Sequence, residues 1–275
     1  MTSRIGDVFA RLRTDRRPGL VTYVTGGDPD LARSADILLA LDRAGADIVE
    51  VGVPFSDPLA DGPVIQRASE RALAAGATLS STLDLIEGVR AHIQAAVVLF
   101  SYANPILRMG AEVFAARAVS AGVDGVLVLD LPIEEAGAFR RTLVDAGIDP
   151  IFLLSPTTTD ARIQQAAELG RGFLYGISRL GVTGARSELA AGARTLVERI
   201  RAVTPLPIAV GFGLSRFEHV QQIGEWADAA VVGSALVDVI AREADSPDLL
   251  VSVERFVAGL KHGGGSEAEG DASVT

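Results

Sequence analysis

Cysteine is absent from this chain, lysine occurs once, at position 261, and histidine three times, at positions 92, 219 and 262. Without a thiol there is no disulfide, no thiolate metal site and no cysteine nucleophile. Positive charge is scarce as well: 25 basic residues stand against 35 acidic ones, for a net charge of −10. A nucleic-acid-binding face needs a basic excess, so no nucleic-acid partner is expected. No apolar run reaches the roughly 20 residues of a membrane-spanning helix, so no membrane partner is expected either. The segment Met1–Arg17 is charged and lacks the apolar stretch of a signal peptide. A soluble, cytoplasmic protein is the expectation. What is abundant is apolar residue, 48% of 275 positions, which supports a large core and excludes disorder for the bulk of the chain.

Those apolar residues fall into eight short β-like runs: Leu20–Thr25, Asp47–Val53, Ala96–Ser101, Gly125–Leu129, Ile151–Leu154, Gly172–Ile177, Pro207–Val210 and Ala229–Val232. Most are continuously apolar and β-branched, the pattern of strands covered on both faces. Amphipathic helical stretches lie between them: Leu31–Ala44, Glu112–Ala121, Glu134–Ala146, Asp160–Leu169, Glu188–Val203 and Arg216–Ile223. Several stop at a glycine (Gly45, Gly122, Gly147, Gly170), the usual end of a helix that leads into the next strand. Eight such units in about 250 residues predict an α/β fold, a (β/α)₈ TIM barrel, with an open doubly wound sheet as the other candidate. An extra helix over Arg4–Asp15 would cap the N-terminal end. Extra helices follow the second strand, over Pro63–Ala75 and Ser81–Ile93, and the eighth, over Ser234–Arg242 and Asp248–Lys261. Residues 1–261 are read as one barrel domain, and His262–Thr275, rich in Gly, Ser, Ala and acid, as a disordered tail.

Barrel enzymes place their chemistry where strands exit. Glu50 stands inside the otherwise apolar second strand. Burial there raises a carboxyl pKa toward the range of a general acid/base, unless the residue is a frayed strand end or pairs with an arginine. Asp61 follows on a loop stiffened by Pro54, Pro58 and Pro63, where Asp-Gly-Pro before a helix also reads as an N-cap. The exits of strands six to eight are glycine-rich: Ser178–Gly184, Gly211-Phe212-Gly213 and Gly233-Ser234, the last opening a helix. Such loops present backbone N–H groups to a phosphate.

If the reaction on such a phosphorylated substrate is an aldol-type cleavage, two routes are closed. A Schiff base needs a lysine in the barrel, and none precedes position 261. A zinc route needs clustered imidazoles or thiolates, whereas the three histidines fall in helical or tail segments and read as surface residues. Carboxylate acid/base chemistry remains. It requires a substrate that is its own electron sink, and an indole protonated at C3 meets that need.

The residues reached so far resemble one family, the tryptophan synthase α chain. Pro54-Phe55-Ser56-Asp57-Pro58-Leu59-Ala60-Asp61-Gly62-Pro63 with Ile65-Gln66 carries the resemblance most specifically. Gly27-Asp28-Pro29, Tyr102-Ala103-Asn104, Ser178-Arg179 with Gly181–Gly184, Gly211-Phe212-Gly213 and Gly233-Ser234-Ala235 follow in collinear order, as far as about residue 260. The resemblance implies cleavage of indole-3-glycerol phosphate to indole and glyceraldehyde 3-phosphate, with indole passed to a β subunit in an α₂β₂ complex. In it Glu50 would protonate indole C3 and take the glycerol hydroxyl proton, and Asp61 would bind the indole N–H. Thr183 would close over the site and Tyr175 would line it near Glu50. Gly184, Gly213, Gly233 and Ser234 would cradle the phosphate. Tyr23, Phe100, Leu127, Leu129, Leu153 and Phe212 would form the indole slot, which departs from the family where Tyr23, Phe100 and Leu129 replace a usual Phe, Leu and small residue. Asp57 and Pro58, with Tyr102 and Asn104, would meet the β subunit. Pyridoxal phosphate would belong to that partner, since this chain offers no lysine for it. The alternatives are a stand-alone indole-3-glycerol phosphate lyase, another phosphate-binding barrel such as a sugar-phosphate isomerase, and a non-catalytic barrel that activates a partner.

Overall fold

The structure, a computed structural model, describes residues 3–177, 186–211 and 213–263. In chain order the elements are α1 (Arg4–Asp15), β1 (Gly19–Thr25), α2 (Leu31–Arg43), β2 (Ile48–Gly52), α3 (Pro63–Ala74), α4 (Leu79–Arg90), β3 (Ala96–Ser101), α5 (Ala103–Met109), α6 (Ala111–Ala121) and β4 (Gly125–Val128). They continue with α7 (Gly137–Asp145), β5 (Asp149–Leu154), α8 (Asp160–Leu169), β6 (Leu174–Ile177), α9 (Arg186–Arg201), β7 (Ile208–Gly211), α10 (Phe217–Gly224), β8 (Ala229–Val232), α11 (Ser234–Arg242) and α12 (Leu249–His262). The eight strands are all parallel and close in sequence order, β8 pairing back onto β1. This is the TIM barrel expected from the pattern, with the extra helix before β1 and the added helices after β2 and β8.

The apolar runs lack alternation because both faces of every strand are buried. Ile48, Val98, Leu127, Ile151, Tyr175, Ala209 and Val231 fill the barrel. Val49, Val51, Val97, Leu99, Val126, Val210 and Val232 belong to the layer between sheet and helices. Helix α1 starts at Ser3, whose hydroxyl accepts the Gly6 N–H, and buries Ile5, Val8, Phe9 and Leu12. Phe9 meets Phe173 at 5.7 Å between ring centroids, so α1 plugs the floor of the barrel.

The floor is also held by a repeated device. Ala-Gly-x-Asp precedes or opens β2, β4 and β5, at Ala44–Asp47, Ala121–Asp124 and Ala146–Asp149. The glycines at 45, 122 and 147 have positive φ, which stops the helix and turns the chain. Asp47 and Asp124, together with Asp228 before β8, each accept a backbone N–H from the start of the preceding strand: Leu20 at 2.8 Å, Val97 at 2.8 Å and Ile208 at 2.7 Å. Each also pairs with arginine: Asp47 with Arg17, Asp124 with Arg90 and Arg4, and Asp228 with Arg201. Asp149 instead takes the Ser3 hydroxyl.

The structure departs from the sequence expectation in places. The sixth strand begins at Leu174 and not at Gly172, whose φ of +69° no strand residue adopts. Gly170 ends α8 with extended backbone, φ −73° and ψ 157°, so it is not the left-handed stop read from the other three glycines. Helix α5 was not anticipated. Pro105 sits in its first turn, where the missing N–H is tolerated, and Gly110 at φ +88° separates it from α6.

Candidate active site

Glu50 lies at the middle of β2, in register with Tyr23 of β1 and Val98 of β3. Strand parity turns Ile48, Glu50 and Gly52 into the barrel and Val49 and Val51 toward the helices. The Glu50 side chain is fully buried, and neither carboxyl oxygen has a hydrogen-bond partner among the described residues. Burial alone pushes its pKa from 4.5 up to about 8. Among the described residues, neither a frayed strand end nor an arginine pair accounts for this residue.

Asp61 is held differently. Helix α3 takes Gly62 as its N-cap residue, with Pro63 in the first turn and no side-chain cap bond, so Asp61 is not the cap that Asp-Gly-Pro suggests. Its carboxylate instead accepts the Tyr102 hydroxyl at 3.1 Å. Burial raises the Asp61 pKa to about 6, against the lowering effect of that hydrogen bond. The loop backbone is clamped by Gln66, whose side-chain amide donates to the Asp61 carbonyl at 2.9 Å and to that of Pro58 at 3.4 Å. The sequence pattern named Gln66 without giving it this task. The Gly27-Asp28-Pro29 motif also gains a task. Asp28, buried after β1, receives two N–H groups of Arg71 on α3, each at 2.8 Å, which fastens the β1 exit to the helix that follows Asp61.

Of the residues expected to form the slot, the described ones gather in the barrel interior. Tyr23 meets Phe100 edge to face at 5.3 Å. Leu127 and Tyr175 are buried in the barrel interior, with Phe100, Leu129 and Leu153 partly buried against them. Ile177 joins this wall; its parity with Tyr175 on β6 is the signal that points to it. Two glycines make room for the tyrosine hydroxyls: a Cβ on Gly52 would stand 2.2 Å from Tyr23 Oη, and one on Gly211 would stand 2.9 Å from Tyr175 Oη. Burial raises the pKa of both tyrosines, with smaller contributions from Asp61 and then Glu50 at Tyr23 and from Glu50 at Tyr175, so both hydroxyls stay protonated.

Gly213 and the pair Gly233-Ser234 follow the adjacent strands β7 and β8, and Ser234 opens α11 with Gly233 as its N-cap residue. The first N–H groups of α11 have no intrahelical partner, as at any helix start. Thr183, Gly184 and Phe212, expected at the lid, the phosphate and the slot, lie outside the described residues, as does the tail from residue 264 onward.

Around the rim, Asp57 and Asn104 are exposed and Pro58 is half-buried. Leu59 and Leu107 are 84% and 69% exposed. Tyr102, in contrast, is buried, with its hydroxyl turned inward. Lys261 sits on α12 at the opposite end of the barrel, ion-paired with Asp47 and far along β2 from the mouth. No cluster of three His, Cys, Asp or Glu side chains is placed to hold a metal ion among the described residues, and no helix among them is long and apolar enough to cross a membrane.

Known proteins share this sequence pattern and this fold. The family model described as Tryptophan synthase alpha chain matches residues 9–262. The tryptophan synthase alpha chain of Geobacter sulfurreducens is 49% identical over 259 residues, covering 94% of this chain and 98% of that one. That of Solibacter usitatus is 45% identical over 266 residues, covering 97% and 100%. Among solved structures, tryptophan synthase subunit alpha from Legionella pneumophila str. Paris superposes with a TM-score of 0.88 at 35% identity, covering 96% of this chain and 98% of that one. Tryptophan synthase from M. tuberculosis in its aminoacrylate-bound form gives 0.86 at 35% identity, covering 95% and 99%.

Proposed function

The chain belongs to the tryptophan synthase alpha chain family, and from that premise we propose how its own residues perform the family's lyase reaction. The reaction is the retro-aldol cleavage of indole-3-glycerol phosphate to indole and glyceraldehyde 3-phosphate, a step in tryptophan biosynthesis. Glu50 begins protonated, as a carboxyl with a pKa of about 8 is at neutral pH. It delivers its proton to indole C3, which leaves the ring as an iminium. Its carboxylate then takes the proton of the glycerol hydroxyl next to the ring. The electrons of the breaking carbon–carbon bond flow into the iminium, the aldehyde leaves, indole is restored and Glu50 has regained its proton. Asp61 accepts the indole N–H and offsets the positive charge that develops there. Tyr23, Phe100, Leu127, Leu129, Leu153 and Phe212 enclose the ring, Tyr175 packs beside Glu50, and Thr183 closes over the site. Gly184, Gly213, Gly233 and Ser234 receive the phosphate.

The observation that carries this reading is the Glu50 carboxyl: fully buried, unpaired among the described residues and shifted into the range where one group both gives and takes a proton. The family implies a β-subunit partner. We place that partner on the rim formed by Asp57, Pro58, Tyr102 and Asn104, with Leu59 and Leu107 as its apolar contacts, in an α₂β₂ assembly within the cytoplasm. Pyridoxal phosphate belongs to the β subunit in this reading, because the only lysine here is committed to Asp47 at the barrel floor.

The test is indole release from indole-3-glycerol phosphate by purified wild-type and Glu50→Gln chains, with and without a β subunit. Release that is slow alone, rises with the partner and is lost in the variant supports the proposal. Near-wild-type release by Glu50→Gln overturns it, and fast release by the isolated chain reassigns it as a stand-alone lyase.

A further inference from the structure

Asp61 has one side-chain hydrogen-bond partner in the described structure, and that partner lies on a different strand exit. Tyr102 leaves β3 with its hydroxyl 3.1 Å from Asp61 Oδ2 and 3.0 Å from the backbone nitrogen of Ala60. The two contacts fix a direction. The Ala60 N–H donates to the tyrosine oxygen and occupies a lone pair, so the phenolic proton is left to point at Asp61. The ring itself is set by Phe55, whose centroid lies 5.0 Å away at 32°, and by its position immediately before α5. Tyr102 thus grips the backbone and the side chain of the same loop at consecutive residues.

We infer that Tyr102 is a positioning residue for the cleavage, holding the Asp61 carboxylate aimed into the slot through its hydroxyl. The inference rests on the role given to Asp61 above. The physical need is plain: a carboxylate on a loop, buried and short of donors, protonates or swings away, and either change removes the counter-charge from the indole nitrogen. Among the described residues, the other titratable groups that interact electrostatically with this pair are Tyr23 from β1 and Asp130 beyond β4, and neither donates a hydrogen bond to Asp61. The task is separate from any contact Tyr102 makes with a partner, because the hydroxyl faces inward.

Tyr102→Phe keeps the ring and its packing on Phe55 and removes only the hydroxyl. With the full chain, alone and with its β subunit, kcat for indole release should fall roughly tenfold to a hundredfold, the range for loss of a hydrogen bond to a charged group. KM should change by less than about threefold, since the loss is felt as charge develops. The acidic limb of the pH profile should move to higher pH, because the lost donor had stabilised the ionised form of Asp61. The effect should vanish in an Asp61→Ala background, where the double variant is no slower than Asp61→Ala itself. Wild-type kcat with an unmoved acidic limb in Tyr102→Phe, or losses that multiply in the double variant, would overturn the inference while leaving Asp61 in its role. Full activity in Asp61→Ala would overturn the role of Asp61 and the inference with it.

Discussion

Asp47 and Glu50 stand three residues apart at β2, one at the barrel floor and one below its mouth, and they are treated in opposite ways. Asp47 accepts the Leu20 N–H, two N–H groups of Arg17 and the ammonium of Lys261. Burial pushes its pKa up, but these partners outweigh that and hold it below the ordinary 3.8. Glu50 has burial without partners among the described residues, and its pKa rises to about 8. The floor carboxylates are there to be satisfied: they close helix-to-strand turns and cap the neighbouring strand. The Glu50 carboxyl is left unsatisfied, which is destabilising and is retained where a proton must move. Burial by itself does not mark a functional carboxylate; burial without a partner does.

The sharpest way to break this comparison is Glu50→Gln. Activity should fall roughly 100- to 10,000-fold, the range for removing a general acid/base. Stability should respond with the opposite sign. Below about pH 4.5 both folded and unfolded states carry the Glu50 proton, so wild type and variant should be equally stable. Between that pH and about 8 the unfolded state ionises while the folded state does not, so wild-type stability falls as pH rises and levels off above. Thermal melts at pH 8 should therefore find Glu50→Gln the more stable protein. A variant that is less stable than wild type at pH 8 would mean that Glu50 has a partner in the folded protein.

Asp47→Asn should invert that result. It strips Arg17 and Lys261 of their counter-charge at the floor, and a loss of about 3 kcal/mol is expected for breaking a mostly buried pair. Its contribution is present above the ordinary pKa of 3.8 and disappears as pH falls through the lowered folded value, so the variant should approach wild type only in acid. Per folded molecule, kcat should be unchanged. Denaturant titrations at pH 7 and in acid, paired with an indole-release assay, separate the two ends of the strand. A large drop in kcat with stability intact would show that the floor takes part in the chemistry.

How much of this was legible in sequence follows the same division. Glu50 could be read because a charge inside an apolar run breaks a local rule, and local rules are what a sequence displays. The barrel could be read because both faces of each strand are buried, which leaves the runs continuous. Asp61 was ambiguous, since an N-cap and a site carboxylate use the same dipeptide; only the Tyr102 hydroxyl, 41 residues away, decides between them. Gln66 and Arg71 were opaque for the same reason, as their partners are set by how the loops meet. The Ala-Gly-x-Asp repeat was readable in principle, three copies ahead of three strands, but its meaning depends on which neighbouring N–H each aspartate meets. Helix α5 was hidden because a Pro near its start and a Gly at its end resemble a loop.

Tyr23 offers the finest cut, because it sets a weakly satisfied hydroxyl beside the unsatisfied carboxyl. Among the described residues its Oη has one distant side-chain partner, Thr25 Oγ1 at 3.5 Å, and rests in the notch left by Gly52. If the mouth keeps polar groups unsatisfied only where they act, this hydroxyl belongs to the slot's shape and not to proton transfer. Tyr23→Phe keeps the edge-to-face contact with Phe100 and removes a bond too long to contribute much, so the melting temperature should move by only a few degrees. The slot becomes more apolar toward the benzo ring of indole, so KM should fall, by no more than about threefold for a group this weakly held. The turnover number should stay within about twofold of wild type. A tenfold fall in kcat would break the rule, since Tyr23 would then be a third proton-handling group, and the distinction between floor and mouth would have to be drawn by position and not by satisfaction.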